Sequence, residues 1–284
     1  MPGSLAVVST PIGNLDDLTV RAAAVLCEAD LVLAEDTRHT GRLLAHIGSR
    51  APQRSLHDHN EAERIAEVLE RIEAGQRVAL VSDAGTPGVS DPGHRMMRAC
   101  VEAGVRIEPI PGPSALTAAL VVSGLPMDRV AFDGFLPRRG AARRARLSEL
   151  ASEPRTIVLF VSPHRAAEDL DDLAAALGTD RRATLARELT KLHEEVVHAT
   201  LGELAALVRD GVRGELAIVI AGAEDARVEV DLEGALAAVE RLVEHGRSTR
   251  DAVAEVAVVT GASRRELYRL ATRGRAARDA GATS

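Results

Sequence analysis

The chain has 284 residues, 46% of them hydrophobic, but only three Phe, one Tyr and no Trp, so its core must be aliphatic; that length suits two compact domains and a small third. No apolar run approaches membrane-spanning length, and Cys27 and Cys100 lack metal-ligand spacing, which together point to a cytoplasmic, metal-free protein with buried thiols. A formal net charge of −7 excludes a generally adhesive nucleic-acid binder and directs attention to how the charge is distributed.

Leu5–Ser9 reads as a first strand, ending in the Pro/Gly loop TPIGNLDDLT (Thr10–Thr19). Thr19 is placed to cap a helix through Glu28. Leu31–Ala34 is a second strand, followed at once by EDTRHT (Glu35–Thr40), where Asp36 or Thr37 can cap a helix running to Ala45. After Pro52–Leu56 comes HDHNEAE (His57–Glu63). Asn60 and Glu63 have capping-box spacing into a long amphipathic helix ending near Gly75.

VALVSDAGTPGVSDPG (Val78–Gly93) begins as a buried strand and stops in Gly, Pro, Ser and Asp that no helix or sheet interior tolerates. Gly85 and Gly88 allow positive φ and close ligand approach, while Pro87 and Pro92 stiffen the loop. Asp91 and Pro92 read as N-cap and first position of a helix over His94–Ala103. Arg106–Ile110 is the next strand, and PGPSA (Pro111–Ala115) turns it into the apolar helix Ala115–Ser123. A parallel sheet would gather TPIGNL, EDTR, DAGTP and PGPSA along one edge, where open α/β sheets bind ligands.

A boundary near Gly124–Pro126 opens a second α/β unit. Strands are expected at Arg129–Phe135, Thr156–Val161, Thr184–Ala186, Glu195–Ala199 and Glu215–Ala221, with helices at Ala141–Ala151, up to Leu177 and at Gly202–Asp210. Ala223–Asp231 reads as a linker. Beyond it, a helix over Leu232–His245 precedes Thr249–Val259, TGAS and Arg264–Arg273, which have helix-turn-helix lengths. Val253, Val256, Ala257, Leu267, Tyr268 and Leu270 would close its small core. The expected domains are therefore 1–124, 125–223 and 232–284.

Two stretches, Arg138–Arg146 and Arg264–Arg278, each carry a net +5 on this acidic chain. Directed phosphate contact through Arg138, Arg139, Arg143, Arg144, Arg264, Arg265 and Arg269 is one reading, and solvated helix faces are the other. With so few aromatics, arginine planes would have to replace a Phe or Tyr platform for a base. Lys191 is the only lysine.

TPIGNLDDLTVRA, ADLVLAEDTRHTGRLL, SLHDHNE, VALVSDAGTPGVSDPG, PIPGPSALTAAL, GFLPRR, SPHR and RELTKLHEE occur in this order, and together they resemble the small-subunit ribosomal RNA methyltransferase I family of the tetrapyrrole-methylase superfamily. The resemblance implies an α/β, two-domain tetrapyrrole-methylase-like (class III methyltransferase) fold with a small C-terminal helix-turn-helix module. It also implies a homodimer that uses S-adenosylmethionine to methylate the ribose 2′-hydroxyl of a cytidine in the decoding region of 16S rRNA. Carried over by position, the cofactor contacts are Pro11, Ile12 and Gly13; Asp83, Gly85, Thr86, Pro87 and Val89; Ser114 and Ala115; and Ser162, Ala186, Arg187 and Ala217. TPIGNL departs from the Gly-x-Gly-Pro-Gly-Asp loop of the tetrapyrrole branch, which weakens a small-molecule methylase reading. A ligand-sensing regulator with a DNA-binding tail is the remaining alternative.

Methyl transfer from a sulfonium needs alignment, while a ribose hydroxyl benefits from a base or a cation near the forming alkoxide. Glu35, Asp36, Arg38 and Lys191 are the catalytic candidates, with His57, His59, Arg187 and Glu194 as further polar groups on offer. Asp36 could equally be a helix cap, Arg38 a partner of Glu35, and Lys191 a surface lysine. Lys191 is also a candidate base if burial lowers its pKa.

Overall fold

The protein is described here by a computed structural model covering residues 3–57, 60–223 and 232–281. The proposed linker beyond Ala223 and His59 lie outside the described residues. The chain divides after Ala223 into two compact units.

In the first unit, five parallel strands form one sheet: β1 (Ser4–Val8), β2 (Leu31–Ala34), β3 (Gln53–Ser55), β4 (Arg77–Val81) and β5 (Ile107–Ile110), in the order β3-β2-β4-β1-β5. Both faces are covered, so its central strands are unbroken aliphatic runs. Leu5, Val7, Leu31, Leu33, Val78 and Leu80 point to one face, against α3 (Glu61–Glu73) and α4 (His94–Glu102). Their neighbours Ala6, Val8, Val32, Ala34, Ala79 and Val81 point to the other, against α1 (Val20–Glu28) and α2 (Thr37–His46). Thr19 and Asp36 cap α1 and α2 as expected, accepting hydrogen bonds from Ala22 N and Arg38 N.

Two capping expectations fail. Asn60 does not cap α3: its Oδ1 accepts from His57 N at 2.9 Å and its amide donates to Ser55 O at 3.1 Å, pinning the preceding loop instead. Asp91 does not cap α4. That position belongs to Gly93 at φ 122°, and the cap's side-chain bond comes from outside the helix, where buried Glu61 Oε1 accepts from Met96 N at 2.8 Å. Nor are both thiols buried, since Cys27 lies on the exposed side of α1.

A second five-stranded sheet, still within the first unit, contains β6 (Val130–Phe135), β7 (Thr156–Val161), β8 (Arg182–Arg187), β9 (Glu195–Thr200) and β10 (Leu216–Ile220), ordered β6-β7-β10-β8-β9. Only β6 and β7 pair in parallel. Ile157, Leu159, Ile218 and Ile220 face α6 (Gly140–Ala151), α7 (Ala166–Leu177) and α8 (Leu201–Val208). Val158, Ala186, Ala217 and Val219 face the other way and meet α5 (Ala115–Ser123), which follows directly from the first sheet. Helix α5 is apolar on most sides, and it packs on this face of the second sheet together with Ile12 and Ala84 from the loops of the first.

The C-terminal unit is three helices, α9 (Leu232–Glu244), α10 (Thr249–Thr260) and α11 (Arg264–Gly281), around Ala235, Val239, Val253, Val256 and Leu267. Ser248 caps α10, and Gly261 at φ 71° closes it. Tyr268, expected inside, is 47% exposed. The last helix runs eight residues past Arg273, through a segment that contains no proline.

Candidate active site

Four loops meet at the carboxyl edge of the first sheet, and short polar contacts lock them together. Thr10 and Gly85 exchange backbone hydrogen bonds of 2.9 and 3.1 Å, and Ser9 Oγ lies 2.8 Å from Thr86 Oγ1. Asp83 Oδ1 accepts from Asp36 N at 3.0 Å, joining DAGTP to EDTR. Gly112 sits so close to Ser9 that an added Cβ would lie 3.1 Å from Ser9 Cβ, which brings PGPSA against the first loop. Gly85, at φ 77°, holds the turn that presents this surface.

Between these loops and the second sheet is a cavity of about 340 Å³. Ile12, Gly85, Thr86, Val89, Ser114 and Ala115 line it from the first sheet's side, and Ser162, Ala186 and Ala217 from the second. Pro11, Gly13, Asp83, Pro87 and Arg187 do not line it. Asp83 ties two loops, Pro87 is buried in its own, and Arg187 turns outward to Glu195 Oε2 at 2.8 Å. The cavity also takes in Ala84, Ser90, Asp91, Phe135, Phe160, Leu189 and Glu215, none of which sequence reasoning placed at the site.

Backbone strain gathers at the same place. The three non-glycine residues with positive φ among the described residues are Ser90 (66°), Glu188 (50°) and Thr190 (68°). Ser90 lines the cavity, and the other two flank Leu189, which also lines it. Conformations of this kind persist where the surroundings impose them, commonly at functional sites.

Lys191 stands at the rim. Its Nζ lies 2.9 Å from Glu188 Oε1 and 3.0 Å from Glu215 Oε2. Its stem covers Gly13 so closely that a methyl group at Gly13 would overlap Lys191 Cγ. Burial alone would lower the Lys191 pKa, but the two carboxylates outweigh it and raise the value. A permanently charged ammonium is not a base. The geometry makes Lys191 a clamp between the RELTK turn, the first loop and Glu215.

The carboxylates separate by environment. Asp36 is gripped side-on by Arg38, with Nη2 to Oδ2 at 2.7 Å and Nε to Oδ1 at 3.1 Å, and that pair holds its carboxyl well below the usual range. Asp36 is therefore a cap and ion-pair partner with little basicity. Arg38 pairs with Asp36 rather than Glu35 and is otherwise solvent-facing. Asp91, freed from capping, is the group raised: burial, then the charges of Glu35 and Asp83, push it to about 6 against an opposing hydrogen bond from Ser82. A carboxyl poised near neutrality on a residue that lines the cavity has the properties of a general base. The signal in the sequence was Gly93, which can cap α4 by backbone freedom alone and so releases Asp91.

Residues 4–205 match the family Tetrapyrrole (Corrin/Porphyrin) Methylases, and residues 229–275 match the RsmI C-terminal HTH domain. The chain is 46% identical over 270 residues to the ribosomal RNA small subunit methyltransferase I of Xylella fastidiosa, covering 94% of this chain and 98% of that one. To the protein of the same name from Mycobacterium tuberculosis (strain ATCC 25618 / H37Rv) it is 48% identical over 269 residues, covering 94% and 93%. The chain belongs to the tetrapyrrole methylase family, in its ribosomal RNA small subunit methyltransferase I branch. Among solved structures it shares a fold with a uroporphyrin III C-methyl transferase from Thermus thermophilus (TM-score 0.57, 23% identity, 76% of this chain and 97% of that one). A diphthine synthase superposes similarly (TM-score 0.59, 20% identity, 76% and 89%).

Three residues beyond Phe135, which lines the cavity of this methylase, the first arginine stretch begins. Arg138, Arg139 and Arg144 are exposed, with no acidic partner within ion-pair distance among the described residues. Arg143 departs from expectation. It is 5% exposed, and its guanidinium donates to Asp169 Oδ1 at 2.8 Å, Asp172 Oδ2 at 2.7 Å and Pro137 O at 3.1 Å. It is a buried tie between α6 and α7, out of reach of any phosphate. In the C-terminal unit, Arg264, Arg265 and Arg269 are exposed on α11. No group of three or more His, Cys, Asp or Glu is placed to hold a metal ion among the described residues, and no helix there is long and apolar enough to cross a membrane.

Proposed function

We propose that the chain transfers a methyl group from S-adenosylmethionine to the ribose 2′-hydroxyl of a cytidine in the decoding region of 16S rRNA, on the RNA or the small ribosomal subunit. The observation that carries this reading is near-full-length identity of 43–48% to proteins named ribosomal RNA small subunit methyltransferase I. The cavity supports it. Ala84, Gly85, Ala115, Ala186 and Ala217 keep its walls low, Ile12, Val89 and Leu189 supply apolar contact, and the carboxylates of Asp91 and Glu215 complement a cationic donor. Ser114 is the N-cap of α5 without a side-chain cap bond, so backbone N–H groups there suit the donor's carboxylate. When bound, the donor supplies a methyl group on a good leaving group.

The chain's own residues then have to orient and deprotonate. The locked loops hold the reacting groups in line, which is where much of the rate arises. The Asp91 carboxylate accepts the proton of the 2′-hydroxyl, and Lys191 keeps Glu215 and the RELTK turn in place. Arg138, Arg139, Arg144, Arg264, Arg265 and Arg269 engage the RNA backbone. Incubating the purified protein with methyl-labelled donor and, in separate arms, naked rRNA, small subunits or a porphyrinoid tests the reading. Label at a ribose 2′-oxygen supports it, and transfer only to a porphyrinoid contradicts it.

A further inference from the structure

All three phenylalanines of this chain, Phe132, Phe135 and Phe160, stand together, the last two at the cavity. Phe132 meets Phe160 edge to face at 5.1 Å between centroids, and Phe135 meets Phe160 at 5.7 Å with the planes 60° apart. Phe160 and Phe135 both line the cavity, yet Phe135 is 54% exposed. An irregularity in strand pairing sets this position. The β6–β7 register shifts between Phe132 and Phe135, and Gly134 turns there at φ 60°. A Cβ on Gly134 would lie 2.9 Å from Ser90 Oγ, so the bulge is seated directly on the strained central loop. Immediately after Phe135 come Leu136, Pro137 and the exposed Arg138 and Arg139.

We propose that Phe135 is the platform on which the target nucleobase stacks while its ribose enters the cavity, a role that rests on the RNA-methylating reading above. An aromatic face beside free arginines is the arrangement that holds single-stranded RNA: the cations track the backbone and the ring takes a base. The ring leaves a π face open beside the cavity, and this chain places a third of its phenylalanine there. Tilted contact with the partly buried Phe160 restrains the Phe135 ring, so little rotamer freedom is lost when a base lands. The donor's adenine is the competing occupant. It is better served by the alanine-walled interior, because Phe135 is the lining residue continuous with the arginine row.

The test compares wild type with Phe135→Ala, Phe135→Leu and Phe135→Tyr, measuring RNA KM and kcat, donor affinity by calorimetry, and Tm. Phe135→Ala and Phe135→Leu should each raise RNA KM about tenfold. Phe135→Tyr should stay near wild type, with donor affinity unchanged in all three. Leucine keeps the apolar cover but lacks a π face, so a wild-type KM for Phe135→Leu overturns the proposal. Donor affinity that weakens in step with RNA KM also overturns it and assigns the ring to the adenine. If wild type transfers no methyl to any RNA, the functional reading and this inference fall together; an active wild type with Phe135→Leu unaltered removes this inference alone.

Discussion

Asp91 and Lys191 carry opposite protonation logic. Asp91 has its carboxyl raised from an ordinary 3.8 to about 6, so its basic form is lost as pH falls through 6. RNA methylation should therefore rise with pH up to about 6 and level off above. Asp91→Asn should lack that limb and lose about 100-fold or more in kcat. The same shift has a stability cost. A carboxyl that binds its proton more tightly when folded destabilises the fold as pH climbs from 3.8 to 6, so Asp91→Asn should melt higher than wild type at pH 8 and match it at pH 3. A lower Tm at pH 8 would contradict the assignment. Lys191 stays charged, and its work is positional. Gly13→Ala and Lys191→Ala should each cost about tenfold in kcat through misplacement. The double variant should lose less than the sum of the two single losses, because the added methyl acts mainly by displacing the lysine and otherwise meets only the Thr190 hydroxyl, at 3.0 Å. Neither role was readable from composition: Asp91 looked like a cap, and the Gly13–Lys191 contact joins residues far apart in the chain.

At the scale of elements, α6 shows both what the sequence disclosed and what it hid. Its basic character was plain, but Arg143 shares an i, i+4, i+7 stripe with Leu147 and Leu150, all three buried. Spacing that marks a core face for the leucines marks it for the arginine as well. Removing Arg143 leaves buried Asp169 with only the longer 3.4 Å contact to Arg165, so Arg143→Ala should cost about 3 kcal/mol by urea unfolding. Arg138→Ser, Arg139→Ser and Arg144→Ser should each stay within roughly 0.5 kcal/mol of wild type. Comparable losses at Arg144 and Arg143 would refute this division. The strand-end loops were legible for a simpler reason. Gly, Pro and Asp at the end of an aliphatic run have few other uses, so TPIGN, EDTR, DAGTP and PGPSA declared themselves. The aromatic cluster did not. Phe132 and Phe160 come together only through strand pairing between β6 and β7, and Phe135 is turned outward by a bulge that no periodicity reveals.

For the whole molecule, the sign and place of charge matter more than its total. The exposed arginines of the first unit and those of α11 are expected to engage RNA phosphates. Replacing Arg138, Arg139 and Arg144 by Ser should flatten the slope of log K against log salt by about 2. Replacing Arg264, Arg265 and Arg269 should do likewise, and an unchanged slope would make either set a solvated face. Self-association is a further expectation. Helix α5 leaves Val121 71% exposed and Val122 36%, neighbouring apolar side chains that a second copy would cover. Light scattering should report a dimer, and Val121→Glu should shift it toward monomer.

The central claim is the identity of the methylated atom. The most direct measurement is mass-spectrometric mapping of 16S rRNA from a deletion strain, with and without the purified protein and its donor. A single new methyl on the ribose 2′-oxygen of a cytidine in the decoding region is the predicted result. A methyl on a base, on another nucleotide or on no RNA at all would contradict it.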